Sequence, residues 1–379
     1  MFRRILDISM ILARKSLFLL GPRQTGKTTY IKSYFPTAKI YNLLEADTFR
    51  DLSQRPENIR KQLTKNDQLI IVDEIQKLPS LLDEIHLMIE ANKDLRFILT
   101  GSSARKLKKQ NLNLLAGRAA SASFYPLVYP EFTEHDLLKR INRGGLPSIY
   151  LSADYHADLK DYIGMYLQEE IKFESSIRNI EAFSRFLTVA GLHSGELINY
   201  TNIGNDSAVP PRTVREYYQM LEDTLLGYQL PPFQHTSKRK PVATSKFYLF
   251  DVGVANALKG TADITYGSKS FGDAIEHLIL IELKAYLSYQ RKNLPLTFWR
   301  SLSKIEVDFV IGDSIALEVK GKERIGRNDL KGLKSIAEEQ KFARLILICL
   351  EKNYRKEGNI EIFPVEKFLH ELWSGEIIS

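Results

Sequence analysis

SLFLLGPRQTGKTTYIKSYF, residues 16–35, is the stretch on which the fold turns. Its apolar start reads as a buried strand, its middle as a glycine-bearing turn and its end as a helix. Between strand and helix, residues 21–28 spell Gly, four residues, then Gly-Lys-Thr. In that context the spacing is a phosphate loop. Gly21 and Gly26 let backbone N–H groups curl around phosphate oxygens without a Cβ clash. Lys27 reaches the β- and γ-phosphates, Thr28 offers its hydroxyl to magnesium, and the helix that begins there points its positive end at the anion. The expected nucleotide contacts are Gly21, Pro22, Arg23, Gln24, Thr25, Gly26, Lys27, Thr28 and Thr29, with ATP and Mg2+ as ligands.

Two further buried strands follow. QLIIVDEIQ (68–76) ends in acids. Asp73 is expected beside the loop strand, holding magnesium through water, and Glu74 is expected to polarise the attacking water. LRFILTGSS (95–103) ends in small polar residues, so Thr100, Ser102 and Ser103 are candidates for sensing the γ-phosphate. Arg118, in LLAGRAA, is a candidate arginine finger for its own or a neighbouring subunit, which makes a homo-oligomer one expected state. LLDEIHLMIEAN (81–92) is an amphipathic helix, and residues 155–190 read as helices. Apolar strands alternating with helices predict a parallel sheet covered on both faces.

The chain has 379 residues, enough for two or three domains. Its net charge of +7 permits polyanionic partners without requiring them. Cys349 is the only cysteine, which excludes a disulfide framework and a thiolate metal site, and ARLILICL places it in a buried strand. The seven histidines show no metal-ligand spacing. The N-terminus has a faint signal-peptide look, but Asp7, Arg14 and Lys15 interrupt its apolar run. No stretch is long enough to span a bilayer, so no membrane association and a cytoplasmic location are expected.

The second half changes character. Val214, Tyr217 (or Tyr218) and Leu221 lie at helical spacing behind Pro211, which suits a first helical turn. HTSKRKPVATSK (235–246) reads as a polar, basic link. IEVDFVIGDSIALEVK (305–320) is a hairpin turning at Gly312-Asp313, with Glu318 and Lys320 on one face and Asp308 ten residues before Glu318. Charges in such apolar strands need partners or a ligand. Pairing of the acids with Lys320 and Arg300 satisfies the sequence as well as a bound metal does.

GPRQTGKTT, IIVDEIQKLPSLL, RFILTGSSARKL, LAGRAA, YPLVYPEF, GGLP, REYYQMLEDTLLGYQLPPF, KFYLFDVGVANAL, IEHLILIEL, FWR and EVDFVI occur in the order found in prokaryotic AAA-type P-loop ATPases with a C-terminal domain of unknown function, number 4143. The chain resembles that family over nearly its whole length. The resemblance implies an α/β fold in four parts. These are a P-loop NTPase parallel sheet (1–135), a helical lid (136–184), a winged helix-turn-helix (185–245) and a restriction-endonuclease-like α/β domain (246–379). In the winged helix, Arg212, Arg215 and Gln219 share the outer face of the second helix, and Lys238, Arg239 and Lys240 form a basic wing for DNA phosphates. Glu216, Glu222 and Asp223 oppose that role. Asp308, Glu318 and Lys320 resemble the PD-(D/E)xK nuclease pattern. There Asp308, Glu318 and a helix acid, Glu276, are metal ligands, and Lys320 steadies or deprotonates a water. The family often has Asn where this chain has His277. Two functions follow: an ATPase coupled to DNA binding or cleavage, or an ATP-dependent switch that grips a partner protein on an inactive nuclease-like scaffold.

Overall fold

The computed structural model describes residues 2–64, 66–102, 114–167, 179–261 and 263–378. Strands β1 (Ser16–Leu20), β2 (Lys39–Asn42), β3 (Leu69–Asp73), β4 (Arg96–Gly101) and β5 (Ala119–Ser123) form one parallel sheet in the order β2-β3-β4-β1-β5. The central strands are apolar throughout because helices cover both faces. One expectation is corrected here. β3 is not beside β1: β4 lies between them, pairing with each. The chain runs from β1 out to the edge and returns inward, which leaves a gap that β4 fills. Ser103 falls outside the described residues.

The first residues belong to this core. Leu6 and Ile8 are buried against Leu17, Leu19, Tyr30 and Ile31, and the Tyr30 hydroxyl donates to the Leu6 carbonyl at 2.7 Å. The apolar run that looked faintly like a signal peptide is packing surface for β1.

Residues 146–167 and 179–258 build a helical unit around one core, and the helix before it, Leu137–Arg143, packs into the C-terminal core. Short helices Leu137–Arg143, Pro147–Leu151 and Tyr155–Asp161 precede helices Ile180–Leu192, Tyr200–Ser207 and Pro211–Asp223. Asn199 caps the helix from Tyr200 by accepting from the Asn202 amide, and Pro211 opens the last helix. Val214, Tyr217, Tyr218 and Leu221 are all buried, and Arg212, Arg215 and Gln219 face outward. A hairpin of β6 (Gly227–Leu230) and β7 (Lys246–Leu249) closes the unit. Leu146, Ile149, Leu159 and Tyr162 share a cluster with Phe186, Phe247 and Val254. The expected lid and winged helix are therefore joined by one core, and β7 carries that core past the boundary drawn at 245.

The basic link behaves differently from a projecting wing. Residues 232–242 lie along the edge of the C-terminal sheet, with Phe233 N–H bonded to Phe298 and Val242 N–H to Arg300. Arg239 is ion-paired with Glu338 and Glu339. The link shields an edge strand from pairing with other chains.

That sheet contains β8 (Leu296–Arg300), β9 (Glu306–Ile311), β10 (Ile315–Val319), β11 (Arg344–Cys349), β12 (Arg355–Glu357) and β13 (Ile360–Pro364), in the order β12-β13-β11-β10-β9-β8. β8, β9 and β10 form an antiparallel meander, and β10, β11 and β13 run parallel. The long helix Lys269–Tyr289 covers one face through Phe271, Ile275, Leu278, Ile279 and Leu283. Leu330, Leu333 and Ile336 cover the other, where Cys349 is buried as core.

Candidate functional site

The strand β1 delivers its loop at the end of the sheet where helix Lys27–Tyr34 begins. Gly26 has φ +90°, a left-handed conformation that favours glycine. Gly21 is constrained by two neighbours. Its N–H donates to the Gly101 carbonyl, and a Cβ there would lie 2.2 Å from the Phe124 carbonyl oxygen. Its own N–H is thus engaged within the sheet. Lys27 is 5% exposed, and its ammonium donates to the Gly21 and Pro22 carbonyls at 2.7 and 2.9 Å. Thr25 is buried and donates to Pro22 as well.

The acids arrive from β3. Thr28 donates its hydroxyl to Asp73 Oδ2 at 2.7 Å, so the two expected magnesium ligands already touch. Thr100, at the end of β4, donates to Asp73 Oδ1 and accepts the Glu74 amide at 3.0 Å. Gln76 donates from Nε2 to Glu74 and to the Ser102 hydroxyl. Gln76 was not singled out in the sequence; its signal was only its place two residues after Glu74.

A cavity of about 430 Å3 is lined by Arg23, Gln24, Lys27, Thr28 and Glu74. A second, of about 440 Å3, is lined by Phe2, Arg4, Tyr30, Tyr34 and Leu151. Both are bordered by Gly26, Thr29, Pro147 and Ser148. Arg4 is the other residue that sequence reading missed. Its guanidinium donates to the Thr25 carbonyl at 2.6 Å and to the Tyr125 carbonyl at 2.7 Å, pairs with Glu131 at 2.9 Å, and lies 4.0 Å from the Phe124 ring centre. Only a contact distant in sequence distinguishes it from Arg3.

Arg118 is elsewhere. It precedes β5 at the end of the sheet opposite the phosphate loop, because Ser16 pairs with Ala119, and it is ion-paired with Glu90. It does not join the phosphate site of its own chain.

The expected nuclease residues occupy a second buried cluster. Lys320 pairs with Glu318 Oε1 at 2.5 Å. Asp308 Oδ2 accepts the Val319 amide at 2.8 Å. Burial, reinforced by Glu318 and Glu276, holds the Asp308 carboxyl well above its usual range. Burial raises Glu318 too, against the pull of Lys320. Glu276 is drawn the other way: Lys246 and Tyr248 outweigh its burial and hold it low. Among the described residues, no three His, Cys, Asp or Glu side chains converge as a metal site. Glu276, Asp308 and Glu318 lie near enough to act on one another, with oxygens engaged by Lys246, Tyr248, Lys320 and the Val319 amide.

His277 is buried beside Glu276, and its Nε2–H donates to the Leu249 carbonyl at 2.6 Å. Burial pushes its pKa down to about 4, with Lys259 assisting and Glu276 opposing. A histidine depressed in the folded state stabilises the fold above its ordinary pKa. That stability is lost as pH falls from about 6.5 to about 4, by on the order of 3 kcal/mol. His277→Asn, which keeps a donor without the titration, is expected to flatten this part of the stability profile in urea titrations. Parallel profiles for the two proteins would contradict it.

A model of an AAA domain matches residues 13–133, one of a domain of unknown function, 8612, matches 134–265, and one of domain of unknown function 4143 matches 271–368. The fold and loop thus define a mixed α/β protein with an AAA domain. It is, more particularly, an AAA-domain protein with a 4143 C-terminus, as the sequence resemblance implied. Similar chains include uncharacterized proteins of Mycobacterium tuberculosis (24% identical over 80% of this chain and 70% of that one) and Methanocaldococcus jannaschii (25%, over 81% and 74%). Among solved structures, a signal-transduction ATPase with a tetratricopeptide-repeat sensor from Pyrococcus horikoshii is 16% identical, with a TM-score of 0.23. The match covers 74% of this chain and 46% of that one. Among the described residues, no helix is long and apolar enough to cross a membrane.

Proposed function

We propose that this chain is an ATP-hydrolysing switch whose nucleotide state sets its grip on duplex DNA. The observation that carries the reading is the Thr28–Asp73 hydrogen bond, made from the helix whose first residue is Lys27. It gathers a phosphate-binding cation, two oxygen ligands of the type magnesium prefers, and Glu74 at one loop. Thr28 and Asp73 would hold magnesium, which would supply charge neutralisation at the phosphates. Lys27 exchanges its carbonyl partners for phosphate oxygens, and Glu74 orients and deprotonates water. The apolar cavity between Tyr34 and Leu151 suits the base.

Transmission is supported by helix Pro147–Leu151. Its Pro147 and Ser148 border both cavities, and the Gly145 amide just before it donates to Asp251 Oδ2 at 2.7 Å. Asp251 caps the next helix, Val252–Leu258, in the core shared with helix Pro211–Asp223.

DNA as the partner rests on a groove of about 660 Å3 lined by Asn199, Tyr200, Thr201, Arg212 and Arg215. Two helix N-termini meet there, which suits phosphate. The Arg215 guanidinium lies 4.8 Å from the Tyr200 ring centre. Arg212 approaches Glu216 at 3.6 Å with both exposed, a pairing worth little against a polyanion. Cleavage by Asp308, Glu318 and Lys320 is the rival reading.

The test is a fluorescence-anisotropy titration of a labelled duplex with and without ATP and magnesium. Nucleotide should change the affinity, and the duplex should stay intact. Arg212→Ala combined with Arg215→Ala should reduce the slope of log affinity against log salt by about two. An affinity indifferent to nucleotide, an unchanged slope, or a cut duplex would count against the proposal.

A further inference from the structure

The C-terminal acid cluster already contains a cation that the nuclease pattern does not include. Lys246, the first residue of β7, is 4% exposed. Its ammonium lies 3.0 Å from Glu276 Oε1 and 2.5 Å from Glu306 Oε1. The Tyr248 hydroxyl donates to the same Glu276 oxygen at 2.5 Å, and the other Glu306 oxygen accepts from Arg300 at 2.9 Å. A buried ammonium costs several kcal/mol unless carboxylates surround it, and removing its partners leaves that cost uncompensated.

This arrangement does not fit the divalent ion implied by the nuclease resemblance. Glu276, the helix acid of that pattern, is committed to Lys246 and Tyr248. Lys320 takes one oxygen of Glu318, and the Val319 amide takes one of Asp308. Glu318 Oε2 is left buried without a hydrogen-bond partner and is the strongest feature favouring a ligand. One such oxygen beside a second carboxylate is short of the three-acid set. A divalent ion seated there would also meet the Lys246 ammonium, a cation the pattern lacks, as a like charge.

We propose that the Lys246 ammonium is the permanent cation of this site. It takes the place of a metal and ties the β6–β7 hairpin to helix Lys269–Tyr289 and β9. The cluster is an ionic joint between the helical unit and the C-terminal sheet. This inference is independent of the nucleotide-site reading.

Removing the lysine should uncover the carboxylates for a metal. The experiment is calorimetric titration of the full chain with Mn2+, without nucleotide. The proteins compared are wild type, Glu318→Gln, Lys246→Met, Lys246→Arg and the Lys246→Met/Glu318→Gln double variant. Wild type and Glu318→Gln are expected to take up Mn2+ alike. Lys246→Met is expected to bind about tenfold more tightly or better, with the gain lost in the double variant and absent in Lys246→Arg. Wild-type Mn2+ binding that disappears in Glu318→Gln would overturn the proposal, and that comparison holds even where Lys246→Met fails to fold. A folded Lys246→Met with no gain would overturn it as well.

Discussion

Glu74→Gln is expected to bind ATP with affinity near that of the parent and to lower kcat by about 10²–10³-fold. The side chain is fixed from two directions. Its backbone has φ +63°, uncommon for a residue with a Cβ, and its amide is held by Thr100. Its carboxylate is held by Gln76, which is itself bonded to Ser102. Glutamine fills the same space and cannot accept the proton of the attacking water. Phosphate release should therefore collapse while nucleotide binding persists. Steady-state phosphate release, set beside an equilibrium binding titration, separates the two. A variant with parental kcat would remove Glu74 from the chemistry.

Gly144→Ala is expected to destabilise the protein by about 4 kcal/mol. Gly144 has φ 74° and ψ −162°, a region open essentially to glycine alone. A Cβ there would also lie 2.1 Å from Asp251 Oδ1. To make room, Asp251 must leave the amides of Gly145 and Val254, stranding a buried carboxyl. Both GGLP and FYLFDVGVANAL were visible as motifs; their mutual contact explains why each contains glycine beside a fixed polar partner. Urea denaturation should show a clearly lowered midpoint. An unchanged midpoint would mean that the contact does not hold the segment before helix Pro147–Leu151 to helix Val252–Leu258.

Local features were legible in the sequence and distant ones were not. The phosphate loop, the acids after β3 and the hairpin at Gly312 are each encoded within a few residues, by spacing and by apolar periodicity. The insertion of β4 between β1 and β3 is set by packing between segments far apart in sequence, which no local pattern records. Arg4, Gln76 and Lys246 acquire their roles from the same kind of contact. Lys246 looked like the last residue of a basic link, and only the fold brings it to Glu276 and Glu306. Glu318 pairs with Lys320, as the self-neutralised reading of the hairpin expects, but Arg300 pairs with Glu306, and Asp308 accepts the Val319 amide instead. Arg118 shows the same limit: strand register, which residue type does not record, sets it away from the phosphate loop of its own chain, and the role toward a neighbouring subunit is a separate expectation.

The central claim is that the loop around Lys27 holds the triphosphate of a nucleotide. Titration calorimetry of ATP and magnesium into wild type and Lys27→Ala tests it most directly. Wild type should bind, and loss of the ammonium with its charge-assisted bonds should raise Kd by about 100-fold or more. Equal affinity in the two proteins would contradict the account.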